Sequence, residues 1–134
     1  AAARAEARLA LASNSAYRSY ATQVGLYDPS NPLIAPPGTS EHQTGLAMDI
    51  GAESGTCSLN VCFATTPEGR WLAANAWRFG FVLRFPDGME GITGYPFEPW
   101  HYRYVGTELA AELNATGVRT LEEFFGLPPA PAPQ

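Results

Sequence analysis

Strand-like and helical runs follow one another along this chain without regular alternation, and that irregular order limits its fold more than any other feature. Residues 46–50, 81–85 and 99–105 read as strands from their alternation and their β-branched and aromatic content, and residues 15–20 alternate in the same way. Thr66-Pro67-Glu68 has the form of a helix start, with Thr as the N-cap and Pro at the first helical position. That helix is predicted to run to about Phe79, where Gly80 closes it. The opening stretch AAARAEARLALA predicts a helix to about Ala12, and shorter helices are predicted over residues 21–26, 107–113 and 121–125. A doubly wound sheet needs strands and helices in strict turn. The expected class is therefore α+β, a small single domain with a central antiparallel sheet flanked by helices.

The segment 28–39 carries four prolines and reads as an irregular loop, and Asp87-Gly88 as a turn. The domain is expected to span residues 1–127, with PPAPAPQ at 128–134 as an extended, mobile tail. At 134 residues, 46% hydrophobic and 16% charged, the chain is of a size and composition to bury one core. No apolar run approaches the roughly 20 residues that cross a bilayer, so no transmembrane segment is expected. The first residues read as a helix already under way, so any export signal or anchor is expected upstream of Ala1.

All eight basic residues are Arg, they are scattered, and the net charge is −5. Nucleic-acid affinity needs clustered positive charge, so no such partner is expected. Cys57 and Cys62 lie in SGTCSLNVC. A thiolate metal site would want two more soft ligands nearby. A short-loop disulfide fits better and implies an oxidising compartment, with two free thiols as the alternative.

The chemistry concentrates around the two histidines. His42 lies in SEHQTGLAMDI, seven residues before Asp49, and His101 lies in FEPWHYRYVG, three after Glu98. Two imidazoles and one carboxylate suit zinc, whose catalytic sites take three protein ligands and leave a fourth position open. One carboxylate is then left over, which is what metal-assisted hydrolysis requires of a base. Two structural histidines would give the same spacing by chance, so the surroundings matter. Gly45 lets the backbone turn between His42 and Asp49. Pro99 bends the chain so that Glu98 and His101, which a regular strand would point to opposite faces, can share a site.

The segments SAYRSYATQ, SEHQTGLAMDI, TPEGRWLAANAWRFGFVLRFP and ITGYPFEPWHYRYVG resemble, in order, the signature blocks of VanY-type D-alanyl-D-alanine carboxypeptidases over about residues 13–106. These zinc peptidases are grouped with the VanX dipeptidases and, by fold, with the hedgehog signalling domain. The resemblance implies a hedgehog/D,D-peptidase-like fold in which His42, Asp49 and His101 bind Zn2+ and Glu98 is the general base. It places Arg18 near the scissile carbonyl and Ser40 and Gln23 at positions that hold the substrate's C-terminal residue. The implied substrate is a peptidoglycan stem peptide ending in D-Ala-D-Ala, and a monomer that is secreted or exposed outside the cell is expected.

The Cys57–Cys62 loop departs from many relatives. An L,D-carboxypeptidase, a D,D-dipeptidase, an endopeptidase or a non-catalytic wall-binding module are the competing readings. Trp100 is a candidate wall of the substrate cleft, with a core aromatic as the alternative. Trp71, Trp77, Tyr95 and Tyr102 are read as packing residues, Glu41 as a solvated loop residue, and Arg84 and Arg103 as surface or sheet-face charges.

Overall fold

Strand pairing, more than local propensity, decides where the elements of this chain begin and end. The computed structural model describes residues 1–131. Its elements are α1 (Ala2–Ala7), β1 (Leu11–Ser15), α2 (Tyr20–Leu26), β2 (Ala47–Ala52), α3 (Pro67–Asn75), β3 (Phe81–Leu83), α4 (Glu90–Thr93), β4 (His101–Tyr104), α5 (Thr107–Thr116) and α6 (Leu121–Phe124). Short 3-10 turns occupy Glu41–Thr44, Val61–Thr65 and Ala76–Phe79. The strands form one sheet in the order β1-β2-β4-β3, and each adjacent pair is antiparallel. The architecture is α+β with helices around an antiparallel sheet, as expected.

The first helix is shorter than its composition predicts. Arg8 adopts a left-handed conformation (φ 58°), its N–H donating to the Arg4 carbonyl and the Leu9 N–H to the Ala3 carbonyl. Leu11 and Ala12 then pair with Ala52 and Gly51 of β2 instead of extending the helix. A helix of this length is marginal by itself in water, so a sheet edge overrides it easily. The strand predicted over residues 15–20 shifts accordingly. It ends at Ser15, and Ser19 caps α2 by accepting from the Thr22 N–H. Between Ser13 and Ser15 the register slips and Asn14 is bulged out. Such a bulge bends its strand, and here it sets Ser15 opposite Asp49.

On β2 and β4, side-chain alternation separates two faces. Asp49 pairs with His101 and Ala47 with Arg103 on one face, while Met48 pairs with Tyr102 on the other. The Tyr102 face carries the core, in which Phe63, Leu72, Ala76, Trp100 and Tyr102 pack together and Leu11, Ile50, Phe81 and Leu83 lean against them. Each large apolar side chain buried this way contributes on the order of 1.5–3 kcal/mol. Over this face lies α3, started by Thr66 Oγ1 accepting from the Gly69 N–H and by Pro67 in the first turn. It continues through a 3-10 turn to Gly80, whose left-handed φ of 85° ends it. Trp71 and Trp77 are half-buried, Trp71 packing on Phe79.

Cys57 and Cys62 are disulfide-bonded. Among the described residues no helix is long and apolar enough to cross a membrane. Of the tail expected to be mobile, residues 128–131 are described, and the Ala130 N–H donates to the Ile92 carbonyl at 2.8 Å. Residues 132–134 lie outside the described residues.

Candidate metal centre

Three chain segments bring the histidines together. His42 sits in the 3-10 turn Glu41–Thr44, capped by Ser40, whose Oγ accepts from the His42 N–H. Gly45 follows in the left-handed region (φ 74°), and this turn delivers the chain into β2 and Asp49. Asp49 lies within the strand. At the other edge, the Glu98 N–H donates to the Phe85 carbonyl and the His101 N–H to the Glu98 carbonyl. Pro99 and Trp100 form the middle of that turn, so Glu98 and His101 face one another across it.

Hydrogen bonds fix which ring nitrogen points inward. His42 Nδ1 is 2.6 Å from the Ala16 carbonyl, which only accepts, so Nδ1 carries the proton and Nε2 is left facing Asp49 Oδ1 at 3.2 Å. His101 Nε2 lies 3.1 Å from Glu41 Oε2 and donates to it. Its Nδ1 then lies 3.3 Å from Asp49 Oδ1 and 3.6 Å from Glu98 Oε2. The ring centroids are 5.0 Å apart at 88°. One donor atom from each of His42, Asp49 and His101 lies within 4.8 Å of the other two, and all three residues are buried. Two imidazole nitrogens and a carboxylate oxygen, oriented by partners on their far sides, fit a zinc ion in chemistry and arrangement.

Glu98 completes the group. It is 3% exposed, and its Oε1 is buried with no hydrogen-bond partner among the described residues. An orphaned carboxylate oxygen is costly unless it serves a ligand or a reaction. Burial pushes its pKa up to about 7, His101 opposing and Asp49 and Glu41 reinforcing the shift. Asp49 behaves oppositely: burial works against its charge, but its contacts with the His101 and His42 imidazoles outweigh this and hold its pKa below the ordinary value. For His101, burial disfavours the charged ring, yet the Asp49 and Glu41 contacts win and raise its pKa to about 9.

A cleft of about 200 Å³ opens onto these residues, lined also by Arg18, Ser40, Tyr95 and Trp100. Arg18 is held from behind, its Nη1 donating to Gln23 Oε1 at 2.9 Å and its Nη2 to Ser15 Oγ at 3.0 Å. The same Nη2 is 3.9 Å from Asp49 Oδ2. Trp100 serves both purposes, since it walls the cleft and belongs to the core.

Gln23 does not take the substrate-contact position expected of it. It is 0% exposed, its Nε2 donates to the Ala35 carbonyl and its Oε1 is taken by Arg18. It braces the arginine and cannot meet a substrate in this arrangement. Glu41 is not a solvated loop residue either. It is partly buried, bonded to His101 and to Arg84 Nε at 2.8 Å, and paired with Arg103 at 3.2 Å. Arg84, read as a surface or sheet-face charge, is largely enclosed, which leaves out the surface alternative. Phe85, its ring 4.7 Å from that of His101, is a cleft residue that no sequence pattern singled out.

The family model for D-alanyl-D-alanine carboxypeptidase, VanY, matches residues 1–107. The putative carboxypeptidase YodJ of Bacillus subtilis (strain 168) is 44% identical over 124 residues, covering 86% of this chain and 45% of YodJ. The LD-carboxypeptidase LdcB superposes with a TM-score of 0.81 at 42% identity, over 92% of this chain and 62% of LdcB. A point mutant of the vancomycin resistance D,D-pentapeptidase VanY, solved in complex with Zn(II), gives a TM-score of 0.77 at 36% identity, over 92% of this chain and 75% of that one. This chain thus spans less than half the length of YodJ and under two thirds of LdcB.

Proposed function

This chain belongs to the VanY D-alanyl-D-alanine carboxypeptidase family, and on that premise we propose that it is a zinc-dependent carboxypeptidase that hydrolyses the C-terminal D-Ala from peptidoglycan stem peptides. The observation that carries the reading is the buried set His42, Asp49 and His101 with Glu98 Oε1, unpartnered among the described residues, beside it. His42 Nε2, Asp49 and His101 Nδ1 would hold the ion. When bound, zinc supplies Lewis acidity, lowering the pKa of a water and polarising a carbonyl.

The chain's own groups account for the proton traffic. Glu98, buried and held near neutrality, accepts a proton from the attacking water and returns it to the leaving amine. Arg18, fixed on two sides, presents positive charge where the carbonyl oxygen gains negative charge, and in a desolvated cleft such fixed charge acts strongly. The Ser40 hydroxyl already accepts from His42, and its own hydrogen is available to a substrate carboxylate. A bare binding module would have no use for Glu98, whose buried, unpaired oxygen costs stability.

The cleft also suits an L,D-carboxypeptidase, a reading favoured by the 42% identity to LdcB, itself an LD-carboxypeptidase. The Cys57–Cys62 bond supports a location outside the reducing cytoplasm. Incubation with pentapeptide, tetrapeptide and D-Ala-D-Ala substrates, with products weighed by mass spectrometry, tests the proposal. Loss of one D-Ala from the pentapeptide is expected. Cleavage of the tetrapeptide alone selects the L,D reading, and no cleavage of any of them contradicts both.

A further inference from the structure

The site is tied to a helix outside the family match. Glu122 lies in the first turn of α6, beyond residue 107, and is buried. It receives Arg84 as a fork, Nη1 to Oε2 at 2.9 Å and Nη2 to Oε1 at 2.6 Å. Arg84 turns its remaining donor, Nε, to Glu41 Oε1 at 2.8 Å. Glu41 Oε1 also meets Arg103 Nη1 at 3.2 Å, which leaves Oε2 as the oxygen that receives His101 Nε2–H. The side chains of Glu122, Arg84 and Glu41 are 10%, 13% and 18% exposed, so their geometry is little loosened by water.

An arginine that uses its fork on one carboxylate and its Nε on another has few orientations left. It thereby fixes the carboxylate that fixes the imidazole. We propose that Glu122 and Arg84 are positioning residues for His101, acting through Glu41 to hold the ring with Nδ1 toward the metal. This rests on the zinc reading above. It also gives α6 a task beyond closing the fold: it buttresses one ligand of the metal centre.

Zinc affinity, measured by competition with a chromophoric chelator, tests this without reference to turnover. Removing an outer partner of a ligating histidine typically weakens metal binding about 10–100-fold. Glu41→Gln is expected in that range, and Glu122→Gln at its lower end, roughly 10-fold. In the double variant the Glu122 change should add nothing, because the relay is already broken at Glu41 (non-additivity of coupled sites). Phe124→Ala, on the same helix, should lower Tm and leave zinc affinity unchanged. If Glu122→Gln does not fold, Arg84→Lys keeps the charge but loses the fork and should weaken zinc binding similarly. Wild-type affinity in the folded variant, or losses that simply add in the double variant, would overturn the relay while leaving the zinc reading intact. A wild-type chain that takes up no zinc would overturn both.

Discussion

The two faces of the central sheet are built from the same strands but obey opposite rules. On the Tyr102 face, burial is apolar, and Phe63, Leu72 and Trp100 gain by leaving water. On the Asp49 and His101 face, burial works against charge, and each group is kept ionised or oriented by a specific partner. Glu98 is the exception, buried with one oxygen unpartnered among the described residues. The apolar face stores stability. The polar face gives some of it up to hold reactive groups in place, as sites of chemistry commonly do.

Glu98→Gln should separate these faces most sharply. Turnover is expected to fall by about 10²–10⁴-fold, the range for loss of a general base, while the three metal donors and zinc binding remain. Its stability should move the other way. The folded carboxyl titrates at about 7 against 4.5 unfolded, so between these values the folded state holds more protons and stability falls as pH rises. Metal-free Glu98→Gln is therefore expected to melt at or above the wild-type temperature at pH 8. A clear drop in Tm would mean that Glu98 is structural and that the faces do not differ as described.

Phe63→Ala is the complementary change. Phe63 is fully buried in the core, and its truncation should cost about 3–5 kcal/mol in denaturant unfolding. Zinc affinity of the folded fraction should stay near wild type. A parallel loss of zinc binding would show that the apolar face also sets the geometry of the metal centre.

Much of the polar face was legible in sequence, for reasons particular to its residues. His42, Asp49, Glu98 and His101 sit in short motifs whose own turns, at Gly45 and Pro99, bring them together. Thr66-Pro67 and Gly80 mark α3 because caps are local chemistry. What stayed hidden depends on distant partners. Leu11 is a good helix former that joins a strand because Ala52 lies across from it. Glu41 reads as a loop residue because Arg84 and His101 are 43 and 60 residues away. Gln23 reads as a substrate contact because a motif names a position and not which way its side chain faces, and that side chain is taken up by Arg18 and the Ala35 carbonyl.

The pH dependence of metal binding sharpens the contrast at smaller amplitude. Without metal, His101 has its pKa raised from 6.5 to about 9. That stabilises the metal-free fold below 6.5 and is lost as pH rises through about 9. Glu41 works in reverse. Burial opposes its charge, but His101 and Arg84 hold it at about 2, so its contribution is present above 4.5 and lost as pH falls toward 2. Zinc must displace a proton from His101 across the upper window, so its affinity should rise about tenfold per pH unit between 6.5 and 9. The melting-temperature gain on adding zinc should grow over the same interval. A flat profile would mean that His101 is already neutral there and not held by Asp49 and Glu41.

Anomalous diffraction at the zinc edge from crystals of the zinc-loaded protein tests the central claim most directly. The expected result is one ion bound by His42 Nε2, an Asp49 oxygen and His101 Nδ1, with Glu98 beside it and not coordinating. An ion bound elsewhere, one held by Glu98 in place of a histidine, or His101 turned to coordinate through Nε2 would contradict it.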